Sequence, residues 1–363
     1  MSVSPIRVGF IGLNPDSHWA ANAHLPALRS LPEQFTVTGV ANSTPESARR
    51  TAQALGLPHA FEQPQALVDA PEIDLVVVTV KVPHHFELVS AALDAGKHVY
   101  CEWPLGNGLT EARRLAALAR AKGVVAVAGT QARTAPEIQH LRQLIADGYV
   151  GQVLSTTLIG SGGNWGASST AELAYLYDAA NGASMQAIPL AHTLAAVREV
   201  LGHFGPMDAR FVRHYERIQL IDRGGSARSN TPSQVLAHGL LTSGAALSLH
   251  YRGGVSRGTN LLWEINGSEG DIQVTADIGH AQLTQLNIRG ARGDQSQMEA
   301  LMPPARAYEG LPSAPAARNI ARIYALLAQD VRSGSRQAPS FDDAVALHEV
   351  VDQLERTAAA HEV

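Results

Sequence analysis

The apolar run Ile6-Arg7-Val8-Gly9-Phe10-Ile11 ends in Gly12-Leu13-Asn14-Pro15-Asp16-Ser17. A dinucleotide fold needs a tight turn at that place, with backbone N–H groups aimed at a pyrophosphate. Gly12 supplies the turn, and Asn14 tolerates left-handed backbone better than most residues. Pro15 removes one N–H and Asp16 brings a negative charge towards the phosphates, so both weaken the pattern. Asn14-Pro15 also reads as a helix N-cap followed by a first-position proline; the strand before it and the helical pattern after it favour the nucleotide.

Ala41-Asn42-Ser43-Thr44 ends the second apolar run with neutral polar groups, where NAD-preferring proteins place a carboxylate on the adenosine ribose. With Arg49 and Arg50 in the next helix, the missing repulsion points to a 2′-phosphate and so to NADP, with NAD as the other cofactor. The same arginines also read as a solvated helix face.

The chain has three lysines. Lys97 and Lys122 fall at helix C-termini and are expected to face solvent. Lys81, just past the fourth strand after Val80, lies at the carboxyl edge where such sheets bind ligands. It is the lysine that could reach a nicotinamide, although a solvent or phosphate role ranks ahead of a proton relay. Gly160-Ser161-Gly162-Gly163-Asn164-Trp165, followed by Tyr175, Tyr177 and Asp178, offers aromatic faces and hydrogen-bonding groups suited to a carbohydrate pocket. A tyrosine pair at spacing two fits a packed strand or loop as well.

These residues depend on the elements that carry them. Over residues 6–130, short apolar runs (Ile6 to Ile11, Phe35 to Ala41, Leu75 to Val80, His98 to Glu102, Val124 to Ala128) alternate with helical periods, which means βαβ units and a parallel sheet. Thr44 and Pro45 open one helix and Gly56 closes it, while Gly96 and Gly123 close two more. After Gly148 the strands lengthen and alternate in polarity: Val153 to Ile159, Ala245 to Tyr251, Leu261 to Ile265 and Asp271 to Thr275. This predicts a large, mostly antiparallel open sheet. Helices are expected over Pro189 to Leu201, over Arg318 to Val331, and after the capping box Ser340-Phe341-Asp342-Asp343. Gly224 to Pro232 and Pro303 to Pro315 are the expected mobile stretches. The fold class is therefore α/β, with a dinucleotide-binding Rossmann domain over 1–130 and a C-terminal α+β domain over 131–363.

With 363 residues the chain can form two cores, and 45% hydrophobic with 17% charged residues describes an ordinary globule. A net charge of −5 and a pI near 6.3 leave no basic footprint for nucleic acid. The single cysteine, Cys101, sits in an apolar strand and suits a reducing cytoplasm. No run is long enough to span a membrane and no signal-peptide pattern opens the chain, so a soluble cytoplasmic protein is expected.

Several segments resemble the glucose-fructose oxidoreductase, inositol dehydrogenase and MocA family: His24 with Leu28, the stretch His85 to Pro104 containing Ala95-Gly96-Lys97-His98-Val99, and Gly129-Thr130-Gln131-Ala132-Arg133 through Pro136. The resemblance implies a nicotinamide cofactor, hydride transfer at a sugar or polyol hydroxyl, and homo-oligomers, dimers or tetramers, through the C-terminal sheet. It implies cofactor contacts at Gly12, Leu13 and Asn14; at Asn42, Ser43, Thr44 and Arg49; at Val80, Lys81 and His85; and at Glu102, Trp103, Gln131 and Arg133. The family's Glu-Lys-Pro reads Glu102-Trp103-Pro104 here, and an indole cannot accept a proton. The family's Asp-x-x-x-His reads Ile188-Pro189-Leu190-Ala191-His192, leaving His192 as the general base without its carboxylate, or as a hydrogen-bonded helix histidine. Gly9 to Asn14, Glu102-Trp103, Gln131 to Arg133, Gly162 to Gly166 and Tyr177-Asp178 are similar to the fungal galactose-regulon repressor branch of that family, whose members bind NADP without turnover and act through protein contacts.

Two functions lead, ahead of a binding module without cofactor that rests on Pro15 and Asp16 alone. One is an NAD(P)-dependent oxidoreductase on a sugar or polyol, with His192 as base, Tyr177 and Asp178 near the substrate, and Lys81 or water as relay. The other is a non-catalytic NADP-binding sensor or regulator. Base rates favour the first, the replaced residues the second.

Overall fold

The computed structural model describes residues 4–16 and 19–361; Ser17 of the first loop lies outside them. Contacts group the chain into two compact units, Met1–Gln131 with Gly310–His348, and Ala132–Glu309 with Glu349–Val363.

The first unit holds a parallel sheet of β1 (Ile6–Ile11), β2 (Phe35–Ala41), β3 (His59–Phe61), β4 (Leu75–Val78), β5 (His98–Glu102) and β6 (Ala126–Gly129), in the order β3-β2-β1-β4-β5-β6. Chain order reverses between β1 and β4, which makes the carboxyl ends of those two strands the ligand-binding switch point of a Rossmann sheet. Helices α1 (Leu25–Arg29), α2 (Pro45–Leu55), α3 (Pro64–Asp69), α4 (His85–Asp94) and α5 (Leu109–Lys122) connect them. Strand residues such as Val8, Phe10, Val76, Val77 and Val78 are fully buried, as expected of strands covered on both faces. Thr44 caps α2 by accepting from the Ser47 N–H at 3.2 Å, and Gly56 ends it with φ 66°. Strand β3, with three residues, has no apolar run to announce it. Lys97 departs from expectation: it is half-buried, and its ammonium donates to the carbonyls of Ala70 and Ile73 at 2.7 and 2.8 Å. Lys122 pairs with Asp94 at 2.9 Å.

The second unit is built on α6 (Pro136–Ala146), α7 (Ala191–Leu201) and an eight-stranded sheet. That sheet comprises β7 (Val153–Ser161), β9 (Phe204–Val212), β12 (Gln234–Leu241), β13 (Ala246–Arg252), β14 (Leu261–Gly267), β15 (Gly270–Ala276), β16 (Asn287–Arg292) and β17 (Glu299–Ala300). Its order is β17-β16-β15-β14-β7-β13-β12-β9, antiparallel except where β7 meets β13. Strands β8 (Ser168–Ser169), β10 (Arg217–Leu220) and β11 (Ser226–Arg228) form a small second sheet, so part of Gly224 to Pro232 is a strand. Along the large sheet alternate residues are buried, among them Leu247, Leu249, Tyr251, Trp263 and Ile265, giving the period of two that a one-sided sheet requires.

Helices α8 (Pro315–Ser333) and α9 (Phe341–Ala359) follow. Ile320, Ile323, Tyr324 and Leu327 of α8 join Phe10, Leu25, Phe35 and Tyr100 in one apolar cluster. Pro339 and Ser340 then bind the backbone of Ala128 and Val127 on β6. Contacts thus place Gly310–His348 with the first unit, whereas the sequence reading kept 131–363 together. Ser340 and Asp343 form the reciprocal capping box that opens α9. Among the described residues, no helix is long and apolar enough to cross a membrane.

Candidate functional site

In the first unit the candidate cofactor residues gather along the carboxyl ends of β1, β2, β4 and β5. Gly12 has φ 99°, and a Cβ there would stand 2.6 Å from Val80 Cγ1, so this turn requires glycine. The Leu13 N–H donates to Asn42 Oδ1 at 3.0 Å and Asn42 Nδ2 returns to the Leu13 carbonyl at 2.8 Å. Asn42 therefore braces the first loop instead of presenting its amide outward. Asn14 Oδ1 accepts from the Asp16 N–H at 3.1 Å, a turn that needs no ligand. Ser43 and Thr44 are exposed, and Arg49 pairs with Glu46 at 2.9 Å on the surface of α2. Thr79, absent from the sequence reading, ties β4 to the loop by donating to the Gly12 carbonyl at 2.9 Å. Lys81 is exposed just beyond it.

His85 is buried with Nδ1 2.7 Å from the Pro104 carbonyl and Nε2 3.0 Å from the Val80 carbonyl. Burial drives the imidazole towards the neutral form, which has one N–H to give, and the shorter contact is to Pro104. The ring fastens two ligand-side turns to each other. Cys101 is wholly buried, and desolvation pushes its thiol well above the usual range, as expected of a packing cysteine.

Glu102 ends β5 with 12% of its side chain exposed. Its Oε1 receives His24 Nε2 at 3.0 Å, and Gln131 Nε2 lies 2.9 Å from each carboxylate oxygen. Gly129 on the neighbouring strand makes room, since a Cβ there would stand 2.6 Å from Oε1. Trp103, 5% exposed, precedes a cis peptide to Pro104 and packs its indole on the His348 imidazole with ring centroids 4.4 Å apart. His348 went unnoticed in the sequence because nothing local links α9 to β5.

In the second unit Arg133 is committed to Glu199 of α7, with Nη2 and Nε 2.9 and 3.0 Å from Oε2. Tyr177 is buried and donates to the Ser168 carbonyl at 3.1 Å, and burial raises its pKa. Asp178 is exposed and caps a short turn, accepting from the Ala180 N–H at 3.1 Å and from Asn230 Nδ2 at 3.2 Å. His192, on the first turn of α7, is 4% exposed, and its Nδ1 meets no hydrogen-bond partner among the described residues. Desolvation, with His280 nearby, lowers its pKa to about 3, so the ring is neutral at physiological pH. His280, missed in the sequence, lies with Nε2 2.6 Å from the Gly162 carbonyl and stacks on Trp165, which holds φ 61° and donates from Nε1 to Leu176 O at 3.0 Å. This histidine fixes the glycine-rich loop.

The strand order, the left-handed Gly12 and the carboxylate at the end of β5 fit a dinucleotide; Ala41 to Thr44 at the end of β2 carry no carboxylate, and Glu46 in the first turn of α2 pairs with Arg49. Hydride chemistry also needs a proton acceptor within reach of a ligand hydroxyl. In the second unit Tyr177 and Asp178 make hydrogen bonds within the protein, and Nδ1 of the His192 ring meets no partner among the described residues.

The description "Oxidoreductase family, NAD-binding Rossmann fold" matches residues 6–130, and "Gal80p, C-terminal domain" matches residues 136–276. The dehydrogenase aclE of Aspergillus oryzae is 32% identical over 280 residues, covering 74% of this chain and 76% of that protein. The galactose/lactose metabolism regulatory protein GAL80 of Kluyveromyces lactis is 29% identical over 305 residues, covering 78% and 67%. The crystal structure of a super-repressor mutant of Gal80p from Saccharomyces cerevisiae superposes with a TM-score of 0.89 at 25% identity, covering 98% of this chain and 96% of that one.

Proposed function

This chain belongs to the Gfo/Idh/MocA oxidoreductase family, near its Gal80 branch, and on that premise we propose that it binds NADP in preference to NAD, together with a sugar-like small molecule, and uses the nucleotide as a signal more than as a hydride carrier. The observation that carries this reading is Trp103: its indole is buried against His348, at the position where the family resemblance implies a proton-handling lysine. His192 does not replace it well. Moving a hydroxyl proton onto a group with a pKa of about 3 is uphill at neutral pH, and no carboxylate precedes His192 by four residues to stabilise the imidazolium.

Gly12, Leu13 and Asn14 would hold the pyrophosphate, and Ser43, Thr44 and Arg49 the adenosine ribose with its 2′-phosphate. Glu102 would accept from the ribose on the nicotinamide side, near Val80, Lys81, His85, Trp103 and Gln131. When bound, the nucleotide supplies a hydride donor or acceptor. The residues of the chain orient it and shield it from water. The protein similarity to GAL80 supports regulation through protein contacts. Leu236 and Leu240, exposed on one face of β12 in the large sheet, support a homo-oligomer through that face, which sedimentation would measure.

A second reading, an oxidoreductase acting on a sugar or polyol CH–OH, is favoured by the 32% identity to a dehydrogenase and by His192, whose neutral ring leaves Nδ1 without a partner among the described residues and so open to a ligand hydroxyl. Titration with NADP and NAD followed by a screen of sugars and polyols for nicotinamide reduction separates the two. Binding without turnover supports the sensor; turnover that disappears in His192→Ala supports the enzyme; absence of nucleotide binding overturns both.

A further inference from the structure

Tyr324, His24 and Glu102 form a hydrogen-bonded chain that leads from α8 to the carboxyl end of β5. The Tyr324 hydroxyl lies 2.8 Å from His24 Nδ1, and His24 Nε2 lies 3.0 Å from Glu102 Oε1. Tyr324 and His24 are fully buried. The protons can be assigned in one way for a neutral ring: a carboxylate only accepts, so His24 donates from Nε2, its Nδ1 becomes an acceptor, and the Tyr324 hydroxyl donates. Desolvation, with the charge of Glu102, pushes the Tyr324 pKa well above its ordinary value, so the phenol keeps the proton it gives. The rings of Phe10, Trp19, Tyr100 and Tyr324 stand edge-on to His24 at centroid distances of 6.0, 6.3, 5.0 and 5.7 Å and fix its plane. Gln131 holds the same carboxylate from a second direction.

We propose that His24 and Tyr324 are positioning residues that lock Glu102 in one orientation towards the nicotinamide-side ribose of a bound dinucleotide. The inference rests on the nucleotide-binding reading above. A carboxylate gripped from two sides cannot swing, and Glu102 ends β5 at the carboxyl edge, where such sheets receive their ligands. Helix α8, far along the chain from the nucleotide loops, thereby sets the geometry of a cofactor contact.

The test is equilibrium titration of the full chain with NADP and NAD and, separately, with their adenosine halves, adenosine 2′,5′-bisphosphate and AMP, which lack nicotinamide and its ribose. Tyr324→Phe is expected to weaken dinucleotide binding about 3- to 10-fold, the worth of one net hydrogen bond, and to leave the adenosine halves unaffected. His24→Leu should lose more. His24→Gln, whose amide can replace the Nε2 donor, should recover most of that loss. Equal losses for whole and half ligands, or no loss for the dinucleotide, overturn the positioning role. A wild-type chain that binds neither dinucleotide overturns the nucleotide-binding reading itself. Nitrogen NMR of the wild type should report the Nε2–H tautomer of His24, and an Nδ1–H ring overturns the proposal whatever the variants do.

Discussion

The Trp103 indole packs on the His348 imidazole, with ring centroids 4.4 Å apart and planes inclined by 41°. Both side chains are buried, and His348 Nε2 meets no partner among the described residues. Trp103 is thus built into the packing of the first unit, and a lysine in its place would not fit without loss.

Trp103→Lys is expected to destabilise the protein by about 3–5 kcal/mol, the range for removing a large buried aromatic, with the burial of an ammonium adding to the cost. Nicotinamide reduction should not rise. Chemical denaturation with a parallel activity assay checks both; a stable variant with gained turnover would show that the indole merely blocks a competent site.

Stability should fall in mild acid because of two buried histidines. Unfolded, a histidine takes up its proton near pH 6.5; in the fold His192 and His348 do so at about 3. Between those values the unfolded chain carries the proton and the folded chain does not, so stability rises with pH. This contribution is complete above about pH 6.5 and is lost progressively as the pH falls towards 3, with a slope of at most about 1.4 kcal/mol per unit for each group. Denaturation of wild type, His192→Gln and His348→Gln at several pH values should show a shallower acid decline in each variant.

Arg133→Met tests whether that guanidinium is structural. Glu199 is 13% exposed and would keep Arg142 at 3.3 Å as its remaining cationic neighbour. A loss of about 1–3 kcal/mol is expected, less than for a fully buried pair because water reaches both groups. NADP affinity should be unchanged; a selective loss of affinity would return Arg133 to the ligand.

Ser43→Asp places a carboxylate at the exposed end of β2. Repulsion should weaken NADP about tenfold while sparing NAD. Parallel titrations measure the ratio, and equal effects on both nucleotides would remove the assigned 2′-phosphate site.

Much of this molecule was legible because its signals are local. The apolar runs of β1, β2 and β5, the caps at Thr44 and Ser340, and the stop at Gly56 depend on neighbours within a few residues, and each appears where the pattern placed it. Strand β4 ends two residues earlier than read, and β6 runs from Ala126 to Gly129, not from Val124 to Ala128. Local patterning cannot say where a side chain points once the chain is packed. Asn42, Tyr177 and Arg133 have the chemistry of ligand contacts, and each also makes hydrogen bonds inside the protein.

The sequence alone determined the parallel sheet, the glycine turn at Gly12, the tryptophan that follows β5 and the neutral Asn42-Ser43-Thr44 after β2, since these follow from residue types at short spacing. Tertiary structure decided that α8 delivers Tyr324 to His24, that α9 delivers His348 to Trp103, and that His192 sits desolvated with its pKa lowered to about 3. Those are contacts between segments far apart in the chain, and burial is a property of the packed core, so no run of neighbouring residues encodes them.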